Sequence, residues 1–241
     1  MIEEGCEIAQ LRRIVATMAE EAAKAGVKIV TGDTKVVERG KGDGVFITTS
    51  GIGAIPAARD VGAGRIRKGD AVIVNGVLGD HGATILAARG DLALSAPMES
   101  DCAGLGHLME AAFGSGAEIR AARDCTRGGL ASALNELADE AGVSIEIEEA
   151  RMPLREEVSG VCEILGLDPL YLAHEGRLVL FCAPEGAEAV LAAMRSIPEG
   201  EAAVLIGYVK DGIKGHVSLW TRFGGTRIVD MLVGDQFPRI C

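Results

Sequence analysis

Four stretches of this sequence set chemically useful side chains beside glycines or at a free end. In Val30-Thr31-Gly32-Asp33-Thr34-Lys35-Val36-Val37, the glycine permits a tight turn and the Asp33 carboxylate can hold Mg²⁺ against a phosphate oxygen. The same residues also suit an ordinary strand-exit turn, with Asp33 and Thr34 bonding their own backbone. In Asp124-Cys125-Thr126-Arg127-Gly128-Gly129-Leu130, paired glycines precede an apolar run of helical spacing. Backbone N–H groups at such a helix start can take an anion, although Asp124 or Thr126 could equally be a plain N-cap. The motif lacks the G-x-x-x-x-G-K-[ST] pattern of a Walker loop. In Leu172-Ala173-His174-Glu175-Gly176-Arg177, Glu175 is placed to act as a base or metal ligand, or to sit in a solvated turn. The fourth stretch is Phe237-Pro238-Arg239-Ile240-Cys241. A thiolate on a tail anchored at one side can be modified in one place and carried to another; the alternative is a frayed end. A prenylation signal is excluded, because Cys241 is last and not fourth from last.

These stretches need elements to hold them. Ile8, Leu11, Val15, Met18 and Ala22 recur at helical spacing, and Gly26 supplies the stop, so a helix is expected over 7–25. Strands are expected at 27–30 and 45–49. This N-terminal segment cannot bury both faces of a sheet by itself, so either it packs on a partner subunit, with its strands pairing across a homodimer, or the chain is a fragment missing earlier strands. The charged, glycine-broken stretch from Ala57 to Asp70 puts a domain boundary near residue 67. Beyond it, strands are expected at 71–74, 119–122, 143–147, 177–183, 203–209, 216–221 and 226–232. Helices are expected at 83–89, 102–113, 130–141, 155–165 and 185–195. The order implies an α+β domain, helices packed on a mostly antiparallel sheet, over 67–232. Residues 1–66 form a separate α/β unit, and 233–241 a mobile tail.

Composition narrows the field further. With 241 residues, 48% of them hydrophobic, the chain can build one large or two ordinary cores. A net charge of −11 argues against a nucleic-acid surface, which needs clustered Lys and Arg. Neither a signal peptide nor an apolar run of membrane-spanning length is present, so a cytoplasmic location and no membrane partner are expected. Of the six cysteines, none forms a C-x-x-C pair or a Cys/His ligand spacing. Cys162 and Cys182 fall in helix and strand patterns; Cys125, inside the anion motif, is the internal thiol that local positive potential would activate.

Taken together, the four motifs resemble the HypE family of hydrogenase-maturation proteins. That family lies within the superfamily of aminoimidazole ribonucleotide synthetase, selenophosphate synthetase and thiamine-monophosphate kinase. The resemblance runs from Glu3-Glu4-Gly5 to Cys241, and the Pro238-Arg239-Ile240-Cys241 ending is its most specific element. It implies an ATP-dependent carbamoyl dehydratase: a HypF-type partner carbamoylates Cys241, ATP activates the amide oxygen, and loss of phosphate leaves a thiocyanate. The thiocyanate would supply cyanide to the iron of [NiFe] hydrogenase through a HypC/HypD-type assembly complex. The resemblance also implies Mg²⁺ at Asp33, and nucleotide contacts from Thr34, Asp124, Thr126, Arg127, Gly128 and Gly129. Lys35 would orient the amide and Glu175 accept a proton. Members of the family carry a further N-terminal segment with aspartates for Mg-ATP, so this chain is expected to be an N-terminally shortened form. The competing readings are a catalytically incompetent fragment that keeps the carrier tail and docking surfaces, and another ATP-dependent member of the superfamily.

Overall fold

A computed structural model describes residues 1–89 and 98–234, and its contacts divide the chain into two units, the first being Met1–Arg59 and the second beginning at Asp60. In the first unit, β1 (Ile2–Glu3) precedes α1 (Ile8–Lys24) and pairs in parallel with β2 (Val36–Val37). The helix follows its apolar spacing and ends where expected: Gly26, at φ +67°, lets Gly26 N–H reach Ala23 O and Val27 N–H reach Ala22 O. That cap explains one correction. The strand expected at 27–30 does not form, because Val27 spends its N–H on the helix end, and the side chains of Val27, Ile29 and Val30 are exposed. The strand expected at 45–49 reduces to a single bridge between Val45 and Ile2. β-branched residues favour a strand only where a neighbour receives their hydrogen bonds.

The second unit is built around Ala71-Val72-Ile73-Val74, which forms β3 (Ala71–Val74) with all four residues buried. Period-two alternation sends Val72 and Val74 into one core and Ala71 and Ile73 into another. A strand that is apolar on both sides must sit mid-sheet with a layer on each face. The remaining elements supply those layers: α2 (Asp80–Ala88), α3 (Gly106–Gly114), β4 (Ile119–Asp124), α4 (Gly129–Ala141), β5 (Ser144–Glu148), α5 (Glu156–Leu165), β6 (Leu178–Cys182), α6 (Ala187–Arg195), β7 (Val204–Lys210), β8 (His216–Trp220) and β9 (Thr226–Ile228). The sheet order is β4-β6-β3-β7-β5-β8-β9, antiparallel except for the β5–β8 pair. Leu130, Leu134 and Leu137 of α4 cover one face with Phe181, Ile145 and Ile147. Leu108 of α3 and Val190 and Met194 of α6 cover the other with Leu180 and Leu205. A smaller core joins Ala83 and Leu86 of α2 to Val158 and Val161 of α5 and to Leu172.

This is the expected α+β architecture, helices on a mostly antiparallel sheet. The last strand is shorter than expected, ending at Ile228, where its residues are exposed at the sheet edge. None of the helices among the described residues is long and apolar enough to cross a membrane.

Candidate functional site at one end of the sheet

Strands β4 and β6 are antiparallel neighbours in which Asp124 stands opposite Leu178. The chain therefore leaves β4 through Asp124–Gly129 at the same end at which it enters β6 through His174–Arg177. A backbone bond from Cys125 N–H to Arg177 O, 3.0 Å, ties the two stretches together.

The Asp124–Gly129 turn is shaped by its glycines. Gly128 and Gly129 both adopt the left-handed conformation, at φ +67° and +63°. A Cβ on Gly129 would lie 2.5 Å from the carbonyl oxygens of both Leu170 and Leu172, so only glycine lets α4 start this close to that segment. Gly128 is the N-cap and no side chain caps the helix, which removes the plain-cap alternative for Asp124 and Thr126. Thr126 Oγ1 instead donates to Asp124 Oδ2 at 2.6 Å. Arg123, Asp124, Thr126, Arg127, Ala133 and Glu136 line a cleft of about 300 Å³ here, and Arg123 is ion-paired with Glu136 across it. Cys125 is fully buried; burial first, and then the Asp124 charge, push its thiol far above the usual range. The local potential therefore acts against a Cys125 thiolate, opposite to the expectation from sequence. Burial likewise raises Cys162 to about 11, helped by Asp168, and Cys182 to about 12, helped by Asp70 and Glu185.

Glu175 sits in the other stretch with its side chain 30% exposed, neither solvated freely nor sealed. A surrounding shell fixes it. Its N–H donates to Asp101 Oδ1 at 2.9 Å. The Asn75 side chain reaches from the end of β3 to accept Leu178 N–H (2.8 Å) and to donate to Gly176 O (3.1 Å) and Glu199 O (2.8 Å). Gly176 passes directly over Asp101, where a Cβ would fall 1.8 Å from the Asp101 carbonyl oxygen. Behind the loop, His174 is wholly buried and accepts Gly79 N–H at Nδ1, 3.2 Å. Asp101 Oδ2 lies 3.6 Å from that nitrogen and 3.6 Å from Arg177 Nε. Burial alone would raise the Asp101 carboxyl, but His174, the Glu175 N–H and Arg177 outweigh it and hold it below the usual value. Asp80, in the first turn of α2, is bracketed by Arg155 Nε, 3.2 Å from both carboxylate oxygens, and by Arg177 Nη2 at 3.8 Å. The next residue, His81, is buried, and its Nε2 lies 3.9 Å from Glu175 Oε1.

The structure thus brings Glu175 to the same sheet end as Asp124, Thr126, Arg127, Gly128 and Gly129. Asp33, Thr34 and Lys35 stand together, exposed, in the first unit, where Thr34 N–H donates to Asp33 Oδ1 at 2.8 Å. Cys241 lies outside the described residues. Sequence reasoning included Arg177 in the Glu175 stretch without a role, and missed Asn75, Asp80, His81 and Asp101. The available signals were an asparagine closing an apolar strand, the Gly79-Asp80-His81-Gly82 helix entry, and the polar run Ser100-Asp101-Cys102.

Comparison with known proteins assigns the arrangement. Residues 67–219 match the model of the AIR synthase related protein, C-terminal domain. Over its whole length the chain is 66% identical to the carbamoyl dehydratase HypE of Rhodobacter capsulatus, spanning 71% of that protein. The chain belongs to the HypE family. A solved structure of the hydrogenase maturation protein HypE in complex with ATP superposes with a TM-score of 0.93 at 45% identity, covering all of this chain and 73% of that one. HypE in a HypE–HypF complex does so with a TM-score of 0.90 at 43% identity, over 95% of this chain and 74% of that one. Membership of the HypE family makes this a hydrogenase-maturation protein.

Proposed function

We propose that this protein dehydrates a carbamoyl group carried on Cys241 to a thiocyanate at the expense of ATP, the source of the cyanide ligands of [NiFe] hydrogenase iron. The observation that carries this reading is the meeting of Glu175 and the double-glycine turn at one end of the sheet, in a chain of this family. An uncapped helix start with left-handed glycines suits an anionic phosphate chain, and a half-buried carboxylate suits proton removal. The HypE structures solved with ATP and with HypF support ATP as substrate and a HypF-type carbamoyltransferase as partner. A HypC/HypD-type complex would receive the product.

In this reading Thr34, Asp124, Thr126, Arg127, Gly128 and Gly129 bind the nucleotide, and Lys35 orients the amide. Phosphorylation of the amide oxygen converts a poor leaving group into phosphate. Both N–H protons then leave the nitrogen as the C–O bond breaks and C≡N forms; one ends on the released phosphate and one in solvent. Glu175 accepts a proton in this step. Asp33 fits Mg²⁺: with Oδ1 engaged by Thr34 N–H, Oδ2 remains for a hard cation, and Mg²⁺ commonly takes one or two carboxylates together with phosphate oxygens. When bound, Mg²⁺ would offset phosphate charge during phosphoryl transfer.

The same reading divides the chain into a first synthetase-type unit over 1–66, a second over 67–232 and a carrier tail over 233–241, with the protein in the cytoplasm. It also takes the exposed Ile29, Val30, Phe46, Ile47, Ile52 and Ile55 of the first unit as the face that a second copy covers in a homodimer. The test supplies carbamoyl phosphate, ATP and the carbamoyl-transferring partner, then digests the protein and locates the added mass. A carboxamide on Cys241 that becomes lighter by one water is expected. Modification of Cys125 in its place, or full modification of Cys241→Ala, would overturn the reading.

A further inference from the structure

A cysteine that carries its cargo on a tail can work only near the point where the tail is fixed, and the residues leading into this tail are gripped by side chains. β9 ends at Ile228, yet the chain beyond it stays on the domain. Val229 is buried in the core that Leu130 and Leu134 of α4 also line, and its N–H donates to Val217 O at 2.9 Å. Its carbonyl accepts Asn135 Nδ2 at 2.9 Å, and the same amide nitrogen donates to Ala131 O, also at 2.9 Å. Tyr171 Oη donates to Asp230 O at 2.8 Å, and Arg227 Nη2 donates to Asp168 Oδ2 at 2.6 Å. Leu232 then lies against the double-glycine turn, its Cδ2 3.6 Å from where a Cβ on Gly128 would stand. The next residue, Val233, is 93% exposed, so the grip ends at Leu232.

Asn135 is the informative group. It is the buried amide on a helix face otherwise packed with Leu130, Ala131, Leu134 and Ala138, where an apolar side chain would serve packing and an amide costs free energy unless its hydrogens are matched. Its partner outside the helix is the backbone of the tail's root. The segment Asp168–Leu172, which holds Arg227 and Asp230, is the one whose Leu170 and Leu172 carbonyls lie against Gly129, and Glu175 follows three residues after Leu172. One stretch of chain therefore holds the tail, backs the anion turn and leads into the base. Nine residues separate Leu232 from Cys241. With 229–232 released, the last fixed residue would be Ile228, paired with Ser218 in the sheet, and the tether would have thirteen residues.

We propose that Asn135 and Tyr171 are positioning residues that pin the root of the carrier tail at Val229–Leu232 beside the double-glycine turn, and so set how often Cys241 presents its carbamoyl group there. The inference rests on Cys241 as the carrier. Both residues act through the tether and not on the amide. For a flexible tether that already spans its sites, effective concentration falls as roughly the −3/2 power of length. Going from nine residues to thirteen therefore lowers it by about twofold, and moving the root away from the turn adds to that loss.

The test uses Tyr171→Phe, which removes the Asp230 bond alone, and Tyr171→Phe/Asn135→Leu, which removes both grips. Amide hydrogen exchange over 229–232, read by mass spectrometry, should speed up about fivefold in the single variant, the effect of losing one hydrogen bond, and further in the double variant. After the carbamoyl-transferring partner has loaded Cys241, single-turnover thiocyanate formation at saturating ATP should fall about twofold or more in the double variant. Inserting Gly-Ser-Gly-Ser after Gly234 lengthens the tether equally with the clamp intact, and should slow the wild type by about twofold. A merely structural role is separated in trans: chains ending at Gly234, with and without both substitutions, should dehydrate the S-carbamoylated peptide 235–241 at equal rates. Equal losses in cis and in trans, an undiminished cis rate in the double variant or the insertion, or unchanged exchange would each overturn the proposal. Should the double variant not fold, Tyr171→Phe/Arg227→Gln takes its place with the same expectations. A wild type that forms no thiocyanate overturns the carrier reading, and the exchange rates still decide whether the root is pinned.

Discussion

The Asp124–Gly129 turn and the His174–Arg177 loop flank adjacent strands at the same end of the sheet, but they are made of different materials. The turn is backbone: two left-handed glycines, an uncapped helix start and an exposed Thr126–Asp124 bond. The loop is held by side chains, with Asn75 and Asp101 arriving from two distant segments to meet its own His174 and Arg177. A surface proposed to take a multiply charged ligand does well with dipoles that require no buried countercharge. A group that must present one carboxylate in one orientation needs its backbone fixed on both sides, as Asp101 Oδ1 fixes the Glu175 N–H and Asn75 the Gly176 carbonyl. Stability should therefore be concentrated in the loop and its shell, and ligand affinity in the turn.

The severest way to break the contrast is to crowd the one position in each region where backbones cross. Gly129→Ala puts a methyl 2.5 Å from two carbonyl oxygens at a positive φ, and Gly176→Ala puts one 1.8 Å from the Asp101 carbonyl. Neither neighbour is the end of a flexible side chain, so the backbone itself has to move. Each variant should lose about 4 kcal/mol or more, among the larger single-site effects, read as a collapsed urea midpoint or insoluble expression. A melting temperature within a few degrees of wild type in either would show that the crossing is looser than drawn.

Next in size is Asp101→Ala, which should cost about 1–3 kcal/mol because it leaves the Glu175 N–H without its acceptor and takes one of two carboxylates from beside Arg177. The pH dependence carries a second check. The Asp101 carboxyl is held below its ordinary value of 3.8, so its contribution is present above that value and disappears as pH falls through the folded-state value. Asp70 runs the other way: burial raises it, and contacts with Arg67 and Arg120 only partly offset this, so its contribution is present at low pH and is lost as pH rises through its folded value. Asp101→Asn should therefore flatten the acid limb of a stability-against-pH curve, and Asp70→Asn should not. An acid limb unchanged in Asp101→Asn would detach the shell from acid sensitivity.

The same contrast marks what the sequence could reveal. Strands such as Ala71–Val74, buried on both sides, and helices such as α1 and α4 follow from apolar period and from glycine stops, because those signals are local. The double glycine at 128–129 and Glu175 beside Gly176 were legible for the same reason. The shell was not: Asn75 binds Gly176, and Asp101 binds Glu175, across separations that no local window spans. The expected strands at 27–30 and 45–49 failed for a related reason. Their side chains favour extended backbone, but a strand is completed by a neighbour's hydrogen bonds, and no pattern in either segment says whether one is present.

The finest test of the contrast is Thr126→Ala, which removes the only hydroxyl of the turn and touches nothing in the shell. The bond it deletes, Thr126 Oγ1 to Asp124 Oδ2, is exposed and ends on a carboxylate that water can serve equally well. The stability change should therefore stay within about 0.5 kcal/mol, as for surface sites away from buried features. Affinity should respond differently. Without Thr126, Asp124 is free to swing its charge toward the cleft that Arg127 shares with it, and an anionic ligand would meet added repulsion as well as a lost hydroxyl. ATP binding by calorimetry should weaken by about tenfold, the scale of one charge-assisted hydrogen bond. Asp124→Asn, which keeps the shape and drops the charge, should weaken it less. If Thr126→Ala instead lowers stability by more than about 1 kcal/mol with ATP affinity intact, the turn is a structural cap after all, and the division of labour between the two regions does not hold.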